Sequence, residues 1–240
     1  MGDIGKRIAR KIGGAIVNYN MIEDGDTILA AVSGGKDSMT LMYHLLRKEA
    51  SFPVKFHVRG LHIKTDFCNC VKKSRMEEVL SSWGADFDML YVPVLKRIKP
   101  GEKMNCYWCS TQRRMELIKY AGKHGFNKIA LGHHMDDMLE TFFMNMAYKS
   151  ELSTMLPVLK LDRYPVTIIR PLAYVKEEEI VRFAETLGLN RLVCACPYGK
   201  NSKRKEIRKI IASMADTGEN IRENLFRAMG NPVNRYLPKP

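Results

Sequence analysis

The sequence has no apolar stretch that approaches the ~20 residues required by a membrane-spanning helix. Its first segment, Met1–Lys11, is charged and has no apolar core, unlike a secretory signal. We also find no internal repeat and no low-complexity tract. These absences predict a soluble, cytoplasmic protein with no membrane partner.

Acidic residues are also in short supply. The chain has 26 Asp and Glu against 39 Lys and Arg, a formal net charge of +13. Such a surplus suits a polyanionic partner such as a nucleic acid, although an acidic membrane surface or simple solubility would also be compatible with it. Two segments concentrate the charge, and either could be only a solvated face. They are Lys6, Arg7, Arg10 and Lys11, and then Lys200, Lys203, Arg204, Lys205, Arg208 and Lys209.

Strand-like and helix-like segments alternate along the chain. This order predicts an α/β fold with a mostly parallel sheet of about five strands and helices on both faces. The predicted strands are Thr27–Ser33, Phe56–Ile63, Phe87–Val92, Ile129–Leu131 and Val166–Ile169. Helices are predicted at Ser38–Lys48, Val71–Trp83 and Thr111–His124. We expect a basic N-terminal helix in residues 1–22, the α/β domain in 23–200, and a C-terminal helical extension and tail in 201–240.

The first predicted strand ends in the hexapeptide Ser33-Gly34-Gly35-Lys36-Asp37-Ser38. Glycines let the backbone turn so that several N–H groups converge on an anion, and the following helix directs its positive dipole end there. The ordinary P-loop is excluded, because Ala30 and Asp37 stand where it requires glycine and a hydroxyl residue. The hexapeptide resembles the loop of ATP pyrophosphatases, which cleave ATP between its α and β phosphates. A plain glycine turn is the alternative.

A second polar segment, Gly132-His133-His134-Met135-Asp136-Asp137, follows the strand Ile129–Leu131. Its carboxylates could cap the next helix, bind a divalent metal, or do both. ATP requires Mg²⁺, and Asp37 and Asp136 are the carboxylates expected beside it. A metallohydrolase built on His133, His134 and Asp136 is a further alternative. The ligand-binding edge of the sheet is also expected to include His62, at the end of another strand.

The six cysteines of a cytoplasmic chain suggest metal binding or catalysis more than disulfides. Cys106 and Cys109 form a C-x-x-C motif just before a predicted helix, whose N-terminus favours thiolates. Such a motif is compatible with half a zinc site, a redox dithiol or an iron–sulfur site. Cys68, Cys70, Cys194 and Cys196 are the remaining cysteines, and the first two are most simply explained as buried side chains.

Together these motifs make the chain resemble the tRNA 2-thiocytidine synthetase family of iron–sulfur-dependent PP-loop ATP pyrophosphatases, whose fold is adenine nucleotide alpha hydrolase-like. The resemblance covers most of residues 10–215. It runs through Tyr19–Asp26, Ser33–Ser38, Cys106–Cys109 with Arg113 and Arg114, Leu131–Thr141, and Ile169–Val175. The related 2-thiouridine synthetases carry extra zinc-finger cysteines that are absent here, and lysidine synthetases lack the cluster cysteines.

The resemblance implies a tRNA thiotransferase that forms AMP and pyrophosphate and uses ATP, Mg²⁺ and a [4Fe-4S] cluster. It implies catalytic roles for Lys36, Asp37, Arg113 and Asp136. Nucleotide binding is implied for Ser33, Gly34, Gly35, Lys36, Asp37, Ser38, His62, Gly132 and His133. The implied partners are tRNA and a sulfur donor, either a cysteine desulfurase or sulfide, and a homodimer stays open.

The chain departs from the family pattern at the third cluster ligand. A second C-x-x-C is usual where this chain has Cys194-Ala195-Cys196. Counting from Pro171 favours Cys194, whereas the Cys-Pro step and Asn201–Arg204 favour Cys196. We expect the cluster ligands to be Cys106, Cys109 and Cys196, which leaves one iron open.

Three other functions stay open at this point. An amidotransferase-like ATP pyrophosphatase with a small-molecule substrate explains the loop but not the clustered cysteines or the basic surplus. A non-enzymatic metal- or RNA-binding module explains the cysteines and charge but not Lys36 in its strand–loop–helix setting. Formation of 2-thiouridine by the same chemistry would use the same motifs.

Overall fold

The computed structural model describes residues 2–67, 73–99, 101–189 and 202–237. The described residues fall into two compact units, one within residues 2–134 and 156–189 and the other within residues 135–155 and 202–237. The three-part division expected from the sequence remains a prediction. None of the helices in the described ranges is long and apolar enough to cross a membrane.

The described residues of the first unit form a six-stranded sheet flanked by helices. The strands are β1 (Asp26–Ala31), β2 (Phe56–Thr65), β3 (Asp86–Val92), β4 (Lys128–Ala130), β5 (Val158–Lys160) and β6 (Thr167–Ile169). The helices are α1 (Asp3–Asn18), α2 (Lys36–Glu49), α3 (Lys73–Ser82), α4 (Cys106–Lys123) and α6 (Glu177–Thr186). A 3-10 turn, Leu95–Arg97, follows β3.

The strand order is β3-β2-β1-β4-β6-β5. All pairs are parallel except β5 with β6. The five predicted strands are therefore confirmed as elements, and β5 is the strand that the sequence pattern missed. The order changes direction between β1 and β4, because the chain first builds outward through β2 and β3 and then returns to the other side of β1. Ligands of open α/β sheets bind beyond the strand ends at such a switch point.

Two apolar clusters fill the first unit. One contains Ile8, Ile12 and Ile16, which lie along one face of the basic N-terminal helix α1. The other contains Leu29 of β1 and Leu117 and Ile118 of α4, with Cys109 packed at its margin. The turn that carries the cysteine pair and the strand that leads into the glycine loop therefore rest on the same core.

The second unit consists of α5 (Met135–Lys149), α7 (Ser202–Ala215) and α8 (Ile221–Met229), followed by the 3-10 turn Asn234–Tyr236. Its small core contains Met135, Leu139, Ile207 and Ile211. The predicted C-terminal helices are thus confirmed, and they pack on α5.

A buried histidine makes the first unit sensitive to acid. His44 of α2 is 1% exposed, its ring lies 4.9 Å from that of Phe183, and its Nε2 has no hydrogen-bond partner among the described residues. Burial, with help from the charges of Lys48 and Arg47, lowers the pKa of His44 to about 3. Between pH ~6.5 and about 3, His44 therefore binds a proton in the unfolded chain but stays neutral in the native chain. The contribution of neutral His44 to the free energy of unfolding is complete above pH ~6.5 and declines as the pH falls from there toward 3.

We predict that His44→Leu removes part of this acid sensitivity. From pH 7 to pH 5 the His44 contribution amounts to about 1–2 kcal/mol of unfolding free energy in the wild-type chain. Thermal melts across this pH range should show a shallower decline for His44→Leu. The exposed His124 supplies the control, and His124→Leu should keep the wild-type slope. Identical slopes for wild type and His44→Leu would contradict the assignment of a buried neutral imidazole.

Candidate active site

The glycine loop lies between β1 and α2 and is closed by two hydroxyl groups. Gly34 has φ +82°, a left-handed conformation that favours glycine. Ser38 Oγ accepts the Ser33 N–H at 3.1 Å and donates to the Gly35 carbonyl at 3.0 Å. The Ser33 and Ser38 hydroxyls are also 3.0 Å apart. The loop is thus pre-shaped, and α2 begins at Lys36, so the first-turn N–H groups of α2 belong to the loop.

Lys36 lies between two carboxylates. Its Nζ is 3.1 Å from Asp37 Oδ1 and 3.0 Å from Glu177 Oε1, at the start of α6. Burial alone would lower the pKa of Lys36, but the two carboxylates outweigh burial and raise the pKa above its ordinary value. Lys36 is therefore a cation at neutral pH, and it is available to an anion that can compete with these carboxylates.

Asp37 combines burial with incomplete hydrogen bonding. Its Oδ1 is buried and accepts no hydrogen bond from any residue the structure describes, although Lys36 Nζ lies close by. His134 Nε2 is 3.8 Å from the same oxygen. A buried carboxylate oxygen with spare acceptor capacity fits a Mg²⁺ ion or its water shell, which prefers one or two carboxylates.

Gly132, just after β4, approaches the start of α2 closely. A Cβ at Gly132 would lie 3.1 Å from the Ser38 nitrogen and 3.2 Å from the Asp37 carbonyl carbon. Backbone yields to such a contact less readily than a flexible side chain does, so this position favours glycine. The structure thereby brings Gly132 and the loop together, and the nucleotide-binding role of Gly132 stays a prediction.

Two histidines near the loop are held by specific contacts. Buried His62 donates from Nδ1 to the Val32 carbonyl at 2.8 Å, which steadies the residue before the loop. Burial lowers the pKa of His62, the Val32 bond opposes this, and the Arg113 charge lowers the pKa further. His133 accepts at Nδ1 from the buried Arg170 Nε at 3.3 Å. Arg170 also donates to the Leu156 carbonyl.

The cysteine pair lies inside the first turn of α4. The helix was predicted to begin near Thr111, but it begins at Cys106, because the Asn105 side chain caps it by accepting the Trp108 N–H at 2.8 Å. Cys106 is exposed and Cys109 is partly buried. Residues three apart share one helix face, so both thiols lie on the same side at the positive helix end.

Arg113 lies one turn further along the same helix. Its Nε is buried and lacks a hydrogen-bond acceptor within the described part of the chain. Its charge acts on His62, which in turn bonds the residue before the glycine loop. Arg113 therefore lies between the cysteine turn and the loop, where an unsatisfied guanidinium N–H can bind an anionic or carbonyl group.

The paired aspartates belong to the second unit and form ion pairs there. Asp136 Oδ1 is 3.2 Å from Arg222 Nε, and Asp137 Oδ1 is 3.2 Å from Arg204 Nη1. Sequence reasoning gave neither arginine this role, because the partners lie far apart in the chain. The predicted metal role of Asp136 stays a prediction.

Residues outside the described ranges include Cys68, Cys70, Cys194 and Cys196. Within residues 2–67, 73–99, 101–189 and 202–237, no three His, Cys, Asp or Glu side chains group as a metal site. The cluster prediction therefore depends on Cys106 and Cys109 together with a ligand in an undescribed segment.

The sequence analysis did not identify two residues of the site, Glu177 and Arg170. Glu177 is 141 residues from Lys36, so no local pattern signals their contact, whereas Arg170 was inside a matched motif but received no role.

Comparison with known proteins identifies the family. A family model described as a PP-loop domain matches residues 5–214. A tRNA-cytidine(32) 2-sulfurtransferase of Variovorax paradoxus is 37% identical over 97% of this chain and 76% of its own length. The enzyme of the same name from Xylella fastidiosa strain M12 is 37% identical over 95% of this chain and 77% of its own length.

The fold is likewise shared with a solved structure. The U34-tRNA thiolase of Methanococcus maripaludis, solved with its [4Fe-4S] cluster, matches 98% of this chain and 80% of its own, with a TM-score of 0.79 and 20% sequence identity. At this identity the likeness concerns the fold. The sequence matches establish membership: the chain belongs to the PP-loop family and, within it, to the tRNA 2-thiocytidine synthetases.

Proposed function

We propose that this protein is an ATP-dependent tRNA sulfurtransferase that converts a cytidine of tRNA, position 32 in the named relatives, to 2-thiocytidine. The observation that carries the proposal is the pairing, on one core, of a pre-shaped phosphate loop with two cysteines at a helix N-terminus. Neither a small-molecule ATP pyrophosphatase nor a binding module requires both. Relatives at 37% identity that share this name support the same conclusion.

The loop supplies the activation step. The C2 oxygen of the base attacks the α-phosphorus of ATP, the bond from that phosphorus to the β-phosphate oxygen breaks, and pyrophosphate leaves. Lys36 and the first-turn N–H groups of α2 stabilise the negative charge on the departing phosphates. Asp37 would hold Mg²⁺ through its buried oxygen, and the metal role of Asp136 stays a prediction from the sequence. His62 and Gly132 shape the loop, and Arg170 fixes the tautomer of His133 by donating to its Nδ1.

The cysteine turn supplies the sulfur step. Cys106, Cys109 and Cys196 would hold a [4Fe-4S] cluster, which would supply iron chemistry for handling sulfur next to the base. Sulfide attacks C2, the bond between C2 and the adenylated oxygen breaks, and AMP leaves with that oxygen. Arg113 stabilises the charge that develops on the base, since it lies one turn beyond the cysteine pair, its charge acts on His62, and its buried Nε has spare donor capacity. Sulfide supplies this sulfur directly, or a cysteine desulfurase supplies it as a persulfide that a thiol reductant converts to sulfide.

We propose that exposed lysines and arginines of α1 and α7 bind tRNA, and a tRNA substrate implies a cytoplasmic location. In each of these helices, other cations pair with buried carboxylates instead. Lys11 Nζ is 2.7 Å from Glu179, and Arg208 Nε is 2.6 Å from Glu140, which is 2% exposed. These cations neutralise buried carboxylates of their own unit. Lys6 and Arg10 on α1, and Lys205 and Lys209 on α7, are exposed and are the charges available to phosphates.

Cluster content tests the proposed ligands. Replacing Cys106, Cys109 or Cys196 by Ala should abolish the brown colour and most iron and acid-labile sulfide after anaerobic reconstitution. Cys194→Ala should retain them, because side chains two apart on an extended segment point to opposite sides and Pro197 biases Cys196 toward that conformation.

Analysis of tRNA nucleosides tests the product. In a deletion strain complemented with each variant, 2-thiocytidine should be present only where the cluster forms. Persistence of 2-thiocytidine in the deletion strain would sink the proposal.

The close approach at Gly132 makes a separate prediction about nucleotide binding. Gly132→Ala should weaken ATP binding at least tenfold, because the new methyl group displaces backbone that shapes the loop. Gly122→Ala is the control. A Cβ there meets no described atom within 4 Å, and alanine stabilises a helix by up to about 1 kcal/mol relative to glycine. Equilibrium binding of a non-hydrolysable ATP analogue measures both, and equal affinities would remove Gly132 from the site.

Substitutions of two groups of basic residues on α7 should have different effects, one on tRNA binding and the other on stability. The double variant Lys205→Ala with Lys209→Ala should weaken tRNA binding and reduce the slope of log K against log salt by about 2, with little change in Tm. Arg208→Ala should instead destabilise the chain by about 1–2 kcal/mol, because the buried Glu140 loses its nearest cation. Filter binding at several salt concentrations and thermal melts distinguish the outcomes. A normal salt slope in the double variant would rule out these lysines as phosphate contacts.

A further inference from the structure

An aromatic side chain lies exposed at the cysteine turn. Tyr107 directly follows Cys106 in the first turn of α4, and it is 82% exposed. The next residue, Trp108, is partly buried and packs against the core cluster of Leu117 and Ile118. Because neighbours on a helix point about 100° apart, the turn that Trp108 anchors presents Tyr107 to solvent. Most of the Tyr107 ring is therefore available to a ligand.

The backbone that carries Tyr107 is held by several hydrogen bonds. The Tyr107 carbonyl accepts the Ser110 hydroxyl at 2.8 Å and the Thr111 hydroxyl at 2.9 Å. Asn105 caps the same turn by accepting the Trp108 N–H at 2.8 Å. Only the two side-chain torsions of Tyr107 are left to order when a ligand packs on the ring, so the cost in conformational entropy is small.

Arg114 adds a positive charge to the same face of α4. It is exposed and follows Tyr107 by seven residues, or two helical turns. Long side chains on a helix lean toward its N-terminus, which is the direction of Tyr107 from Arg114. Ser110 lies between the two, and its hydroxyl is turned back onto the helix backbone. An exposed ring with a cation on the same face suits a single strand of nucleic acid, whose bases stack and whose phosphates need a positive charge.

The proposed reaction indicates which nucleotide this surface receives. The C2 oxygen of a cytidine lies in the edge that pairs with guanosine, so a reaction there requires an unpaired base that is turned out of its stack. The base beside that cytidine then loses a stacking partner. Resting on the proposed tRNA substrate, we infer that Tyr107 stacks on the base next to the modified cytidine and that Arg114 binds a phosphate of the same strand. Tyr107 is a positioning residue, because it holds the strand while the cytidine reaches the site.

Binding of tRNA to the reconstituted full chain at several salt concentrations tests this inference. Tyr107→Ala should raise the Kd about tenfold, the scale of one lost contact between a base and an aromatic ring, with iron content and Tm unchanged. Stacking releases no counterions, so the slope of log K against log salt should keep its wild-type value in Tyr107→Ala. Arg114→Ala should instead reduce that slope by about 1.

Three further variants serve as controls. Tyr107→Phe keeps the ring and should bind as the wild-type chain does. Tyr91→Ala removes a tyrosine of β3 that is 55% exposed, and it should stay within about twofold of the wild-type Kd. Tyr107→Leu keeps a large apolar side chain without a ring and should lose the same affinity as Tyr107→Ala, so it carries the measurement if alanine disturbs the cluster.

A fluorescent base reports the stacking directly. The fluorescence of 2-aminopurine is quenched when the base is stacked and rises when it is unstacked. The probe is placed in tRNA at each of the two nucleotides beside the modified cytidine, and the protein is added to saturation. At one of these positions the probe should stay quenched with the wild-type chain and with Tyr107→Phe, and it should brighten with Tyr107→Ala.

Several outcomes would overturn the inference. They are an unchanged Kd in Tyr107→Ala, unchanged fluorescence at both positions, a smaller salt slope in Tyr107→Ala, or binding by Tyr107→Phe as weak as that by Tyr107→Ala. Loss of iron from both Tyr107→Ala and Tyr107→Leu would assign Tyr107 to the cluster site and overturn it as well. Failure of the wild-type chain to bind tRNA would instead overturn the proposed function. Lys36→Met should bind and stack tRNA normally but form no AMP, which separates the stacking from the activation step.

Discussion

The parallel pairing of β1 with β4 is the constraint on which the site depends. Ile28, Leu29 and Ala30 lie opposite Lys128, Ile129 and Ala130, so both strands end at the same edge of the sheet. The glycine loop leaves one strand there and Gly132 follows the other, at the point where the strand order changes direction. Because the two backbones approach within the space of one missing methyl group, the loop has a single supported shape. Phosphate binding therefore needs little local rearrangement.

Part of the positive charge of the chain forms ion pairs with carboxylates of the same chain. Glu140, Glu179 and Glu177 each pair with a lysine or arginine from another element. For the two most buried of these carboxylates, Glu140 and Glu179, the ion pair offsets the cost of removing a carboxylate from water, and for Glu140 burial still raises the pKa despite its arginine partners. The formal charge of +13 consequently overstates the charge presented to a polyanion. The exposed lysines and arginines of α1 and α7 are still available to backbone phosphates, so both helices combine a structural face with a basic one.

Local patterns predicted the elements well wherever one short segment carried enough information. The apolar runs of the parallel strands and the isoleucine stripe of α1 are visible without tertiary knowledge, because burial on both faces or on one helix face imposes its own periodicity. The start of α4 was misplaced by five residues, since the capping effect of Asn105 outweighs the modest helix propensity of the Cys-Tyr-Trp-Cys segment. Strand β5 was missed because this edge strand is only partly buried and lacks the apolar run that marked the equally short β4 and β6.

The sequence by itself determined the chemistry of this protein: a phosphate loop, a cysteine pair at a helix start, a polar segment after a central strand, and a basic balance. These are local because a loop or a helix turn is built from neighbouring residues. Tertiary structure decided which charges meet. The contact of Lys36 with Glu177, the support of His133 by Arg170 and the pairing of Asp136 with Arg222 each join residues far apart in the chain. Ion pairs and hydrogen bonds depend on distances of about 3 Å, and only the packing of whole elements sets such distances.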